Sequence, residues 1–297
     1  MSVRQRCGLG RLLMIGVLVA LASRGASAAA DEPLLPARCH VWGRFEIGAW
    51  SRVTVDVETY ERGERLLRSG REELRELVQR DEQGYALKIV SIQELPWRRD
   101  AEPAGDGVTR SYPWFVGRER LIGPPEGVGV DFEGFGEPLP CRSYEYQVES
   151  EGRITTFVDV VHPDRFPFVL QRVGAVPSGA PDLRPEYRVR MSISHGDVAI
   201  DLGDRLVSGV ETRTVVERPG RTTEIVELLA AEVPGGLVSK RSTERDESGV
   251  VVRREVIELV DFSETPGEPG IGRGEVRGRE GRLFRRRPRS SDDRSDD

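Results

Sequence analysis

Between residues 141 and 173 the side chains alternate in character with a period of two, and this alternation limits what the chain can fold into more than any other feature. Tyr144, Tyr146 and Val148 are interleaved with Ser143, Glu145, Gln147 and Glu149. Successive side chains of an extended backbone point to opposite faces, so the pattern belongs to a strand with one face buried and one wet. Ser150, Glu151 and Gly152 then supply a turn, with the glycine free to adopt positive φ. The chain returns with Ile154, Thr156, Val158 and Val160 on one face and Thr155, Phe157, Asp159 and Val161 on the other. Apolar groups on both faces place this second strand inside a sheet rather than at its edge. Pro163 and Pro167 end the run because they lack the N–H that a ladder needs. Phe168, Val169 and Leu170 open a third strand.

The pattern recurs along the chain. Val53, Val55 and Val57 alternate with Thr54, Asp56 and Glu58, and Tyr187, Val189, Met191 and Ile193 alternate with Arg188, Arg190, Ser192 and Ser194. Arg218-Pro219-Gly220-Arg221 and Asp246-Glu247-Ser248-Gly249 each separate two such runs and read as hairpin turns. Only 66–80 is ambiguous. Leu67, Leu74, Leu77 and Val78 have helical spacing, yet Asp81-Glu82-Gln83-Gly84 turns the chain into the alternating Tyr85, Leu87 and Ile89, which favours a strand. Strands every ten or so residues with turn chemistry between them predict an all-β fold, an antiparallel meander forming a strongly curved sheet or open barrel.

The expected domain is 29–262. Residues 96–140, and 121–140 above all, are rich in Gly and Pro and read as a loop-rich linker between sub-halves 41–95 and 141–262. Cys39-x-x-Trp42-x-x-Phe45 and Cys141-x-x-Tyr144-x-Tyr146 are alike, but too slightly to define a repeat. Residues 263–297 mix nine Arg with eight acidic residues and almost nothing apolar, which predicts a disordered tail.

Residues 1–28 read as a secretory signal. Arg4, Arg6 and Arg11 precede an apolar run over 12–21, too short to span a bilayer comfortably, and Ala26-Ser27-Ala28 has the small-x-small form of a processing site before Ala29. An uncleaved anchor is the rival reading. No cysteine follows the apolar run where lipidation needs one, so the expectation is a secreted or periplasmic protein without a transmembrane segment in its mature chain. Removing four arginines and no acid takes the net charge from −6 to −10. An acidic, exported chain is a poor partner for nucleic acid. Cys39 and Cys141 remain, and in an oxidising compartment an even count suggests a disulfide, with two buried thiols as the alternative.

Signatures of catalysis are sparse. No H-x-H, H-E-x-x-H, C-x-x-C or G-x-S-x-G occurs, so no metal site and no cofactor is indicated. Asp159, His162 and Asp164 stand near a strand end and are the candidates for a proton-transfer centre, against the plainer reading of a histidine in a turn. His195, before Gly196-Asp197, is in the same situation. Trp97, Tyr112, Trp114 and Phe115 are the candidate ligand-binding aromatics, able to line an apolar mouth or simply to plug the end of a curled sheet.

Cys141-x-x-Tyr144-x-Tyr146, 233–238 and Arg253-Arg254-x5-Val260-Asp261-Phe262 resemble segments of uncharacterised secreted bacterial β-rich proteins. At the level of fold the chain is also similar to periplasmic lipoprotein carriers, and that resemblance implies a curved antiparallel sheet around an apolar cavity. The expected function is that of a non-catalytic binding or structural protein of the cell envelope, with a lipid or another envelope component as partner. The alternative is an extracellular hydrolase with an Asp/His centre.

Overall fold

The computed structural model describes residues 37–82, 84–92, 107–114, 120–150, 153–176, 186–203 and 205–267. The expected signal segment, Trp97, Phe115 and the chain beyond 267 lie outside them. After a short 3-10 turn at Ala37–Cys39 come β1 (Trp50–Glu61), β2 (Glu64–Arg80), β3 (Gly84–Ile92), β4 (Val108–Pro113), β5 (Arg120–Phe132), β6 (Leu139–Ser150), β7 (Arg153–Val161), β8 (Val169–Val176), β9 (Tyr187–Asp201), β10 (Leu206–Arg218), β11 (Arg221–Ala230), β12 (Leu237–Asp246) and β13 (Val251–Ser263). All belong to one 13-stranded sheet in the order β4-β3-β2-β1-β13-β12-β11-β10-β9-β8-β7-β6-β5, and every pairing is antiparallel. The expected meander is present and is not closed. No helix among the described residues is long and apolar enough to cross a membrane.

The 96–140 stretch corrects the sequence reading. It contains β4 and β5, the two edges of the sheet. Pro124 and Pro125 fall in the register shift between Ile122 and Glu126, where β5 meets β6 irregularly, and Pro113 ends the short β4. Proline is tolerated at an edge because the missing N–H faces no partner, and it blunts a row of open hydrogen-bonding groups. Nor do 41–95 and 141–262 stand apart, since β1 pairs with β13 along most of its length.

β2 explains its own ambiguity. Leu74 packs with Trp50 and Val90, whereas Leu77 packs with Trp42, Phe45, Ala49 and Leu87. Positions three apart lie on opposite faces of a strand, so the helix-like spacing serves two separate clusters.

Most of the core lies on one face of the sheet, with the cluster of Trp50, Leu74 and Val90 on the other. Val53, Val55, Leu170, Ile193, Val210, Val238 and Ile257 are buried on the inner face, while Glu145, Gln147, Arg190 and Ser192 on the outer face are exposed. Residues 37–49 cross one end of the inner face. Trp42 and Phe45 pack on Leu77 and Leu87, Arg80 Nη1 donates to Gly43 O (3.0 Å) and Phe45 O (2.7 Å), and Gly235 N donates to Val41 O (3.3 Å). Cys39 Sγ donates to Pro163 O (3.2 Å) on the far side. The segment thus touches β2 and β3 as well as the connections after β7 and β11, and the sheet curls around it.

Those two connections are copies of one another. His162 N donates to Phe168 O, Arg165 N to His162 O and Phe168 N to Arg165 O; Ala230 N donates to Gly236 O, Val233 N to Ala230 O and Gly236 N to Val233 O. The likeness extends into the strands. A register shift follows Val160 in one and Leu228 in the other, and the opposed pairs Asp159–Arg172 and Glu227–Lys240 occupy matching places. Each position of 153–172 answers to the one 68 residues later. Phe168 and Gly236 both have φ +74°, so the first copy carries a bulky residue in a backbone region that glycine adopts freely.

Gly235 has φ +83°, and an added Cβ would lie 2.8 Å from the Trp42 ring, whereas Gly249 has φ +82° with nothing within 4 Å. Gly249→Ala should cost about 1–2 kcal/mol from the left-handed backbone alone, and Gly235→Ala about 1–3 kcal/mol more from overpacking against the cap. Urea denaturation midpoints of the two variants measure the difference.

Candidate functional site

Three polar or aromatic groupings stand out against the aliphatic background. The first is built on the segment crossing the inner face. His40 lies with its ring centroid 4.8 Å from Tyr85 and 5.6 Å from Trp114; Tyr85 stacks on Tyr112 at 5.3 Å. Trp114 is buried and its Nε1 donates to Asp81 O at 2.8 Å. Of the four candidate aromatics, Tyr112 and Trp114 therefore meet in one cluster, where both pack on Tyr85; Trp97 and Phe115 fall outside the described residues. His40 Nδ1 accepts from Trp42 N (3.2 Å), and burial lowers its pKa from 6.5 to about 4. A neutral imidazole is what this nest holds.

The second grouping involves Asp159, which is only 2 % exposed. Arg172 reaches it from β8, with Nε 2.9 Å from Oδ1 and Nη2 2.7 Å from Oδ2, and Tyr146 Oη donates to Oδ2 at 2.9 Å from β6. Phe157 stacks on Tyr146, and the Arg172 guanidinium sits over the Phe157 ring. Desolvation pushes the Tyr146 hydroxyl well above its ordinary range, so it stays a donor. His162 is elsewhere: its Nδ1 accepts from Asp164 N (3.2 Å) in the turn. The described contacts do not join Asp159, His162 and Asp164; Asp159 is held by an arginine and a tyrosine instead. In the second copy the arrangement is looser. Glu227 faces Lys240, which pairs with Glu255 at 3.3 Å, and burial raises the Glu227 carboxyl.

The third grouping was missed by sequence reasoning. Glu211, buried where β10 has two register shifts, lies opposite His195. Its Oε1 accepts from Ser194 Oγ (2.9 Å) and lies 3.1 Å from His195 Nδ1. A carboxylate on Nδ1 orients an imidazole and turns Nε2 outward, and the His195 side chain is 66 % exposed. The two residues are sixteen apart in the chain and meet only through the β9–β10 pairing, which spacing does not reveal.

The expected disulfide is absent. Cys39 and Cys141 are both free and buried, in separate clusters: Cys39 with Val161 and Phe168, Cys141 with Leu170, Ile193 and Val210. No group of three or more metal-ligating side chains occurs among the described residues. Comparison of the chain with models of protein families, with characterised proteins and with solved structures returns no match.

Two outcomes follow. Arg172→Met leaves Asp159 buried without its cation and should cost about 3 kcal/mol, while Asp159→Leu combined with Arg172→Met should recover most of that loss; urea midpoints of single and double variants decide it. Because the fold disfavours the charged form of His40, its contribution to stability is intact above about pH 6.5 and is lost as pH falls toward 4, by about 2–3 kcal/mol. His40→Gln should flatten the stability profile across that window relative to the unaltered chain.

Proposed function

We propose that the chain is an exported, non-catalytic binding protein of the cell envelope that takes an apolar or amphiphilic ligand on the inner face of its sheet. The observation that carries this reading is the lining beyond the aromatic cap. Tyr146, Phe157, Val189 and Val216 share one side in adjacent register positions across β6 to β10, and Met191 and Ile225 lie on the neighbouring row. This surface is curled, closed at one end by residues 37–49, and set with polar groups, Arg172 and Lys240, that are already paired with acids. An apolar surface with a few fixed polar groups suits an amphiphile. Sequence features support export, through the segment 1–28 and its processing site.

N-terminal sequencing of protein recovered from an exporting host should begin at Ala29. Solvent extraction of that protein followed by mass spectrometry should release an amphiphile, and an apolar fluorescent dye should bind saturably and be displaced by it. Val216→Trp, which fills the lining, should weaken dye binding about tenfold with little change in Tm. Failure to extract any amphiphile, together with no dye binding, would remove the reading.

The hydrolase reading now rests on His195 and Glu211, whose geometry orients a base, rather than on Asp159, His162 and Asp164. Its test is a panel of ester and peptide substrates with the unaltered chain and His195→Ala. Turnover by the first and its loss in the second would favour it over binding.

A further inference from the structure

On the outer face of the sheet, β7 and β8 carry an exposed apolar pair. Val158 and Val173 face each other across these two strands at 36 % and 38 % exposure, and Ile154 is 47 % exposed on the same side. Directly opposed positions across four strands read Glu145, Val158, Val173, Arg190, and the neighbouring row reads Gln147, Thr156, Ala175, Arg188. Glu149 flanks Ile154 on the acidic side. The patch therefore has carboxylates along one margin, two arginines along the other and β-branched side chains between.

The internal repeat supplies a comparison within the same molecule. The position answering to Val158 is Val226, and the one answering to Val173 is Arg241; Arg213 stands opposite Val226 on its other side. The second copy covers its valine with cations on both sides, whereas the first leaves two valines together. The apolar pair is thus a property of β7 and β8 and not of the repeated hairpin as such.

We propose that this face docks a second copy of the chain in a two-fold symmetric, face-to-face dimer. A two-fold axis along the strand direction, between β7 and β8, lays the valines of one copy on those of the other. It also sets Glu145 of each copy against Arg190 of its mate, and Gln147 against Arg188, so the facing rows are complementary. Within one copy these groups cannot satisfy each other, since Glu145 and Arg190 are three strand spacings apart, about 14 Å. Glu145 has no ion-pair partner among the described residues, and Arg188 and Arg190 share only the exposed Glu217, at 3.7 Å and 4.0 Å.

Sedimentation equilibrium of the mature full chain, run over about a hundredfold range of concentration at low and high salt, tests this. The expected result is a monomer–dimer equilibrium that salt weakens. Glu145→Arg and Arg190→Glu should each raise the dimer Kd about tenfold or more, and the two together should restore it. Val173→Asp should abolish the dimer with an unchanged circular dichroism spectrum; Val173→Thr, a milder change, covers the case in which the aspartate variant fails to fold. A monomer at every concentration, or a dimer that neither charge reversal nor loss of the valine weakens, would overturn the proposal.

Discussion

The pairing of β1 with β13 is the interaction on which the rest of the structure depends. It joins the first and last described strands in the interior of the sheet, so the two open edges fall to β4 and β5, neighbours in sequence. Closing so long a stretch of chain costs little more than closing a moderate one, because the entropy of loop closure grows only with the logarithm of length. What it secures is the inner face. With no helical layer among the described residues, that face can be buried only by the sheet curling on itself and by the segment over 37–49. Val53 and Val55 on β1 and Ile257 on β13 are nearly inaccessible at this junction, and they form one cluster.

Buried ion pairs set the register elsewhere. A slip of one residue would turn Asp159 to the outer face and leave Arg172 inside without an anion, so the pair penalises the wrong alignment even if it adds little net stability to the right one. The repeat makes the same use of Glu227 and Lys240 with less complete satisfaction, because Lys240 is drawn toward Glu255. Phe168 and Gly236 show the converse compromise. The first copy accepts a strained backbone in order to bury a ring against Cys39 and Val161, and the second keeps glycine and lets Phe166 and Val41 approach.

Much of this was legible in the sequence, for a physical reason: alternation reports burial directly when one face of a strand is wet. The runs at 53–57, 144–148 and 187–193 are strands, as their patterns predict. Leu74 and Leu77 left 66–80 ambiguous between helix and strand because each serves a different face. β5 was hidden because an edge strand tolerates the glycines and prolines that elsewhere mark a loop. The repeat escaped notice because its matching parts are the pairs Asp159–Arg172 and Glu227–Lys240, similar in charge but not in identity. That Tyr112 and Trp114 pack against another ring was to be expected from their size alone, whereas the approach of His195 to Glu211 depends on bulges that no local pattern encodes.

The place of the edges has a consequence for how this chain could be rewired. The chain that leaves β13 returns to the entry of β1, with Pro266 packed against Gly48, while the sheet is already interrupted between β4 and β5. Joining the end of β13 back to the segment before β1 through a linker that spans the inner face, and opening the backbone between 114 and 120, would produce a circularly permuted chain whose new ends are the edge strands themselves, with every ladder left intact. The linear order of the natural chain is one of two nearly equivalent ways to write the same sheet.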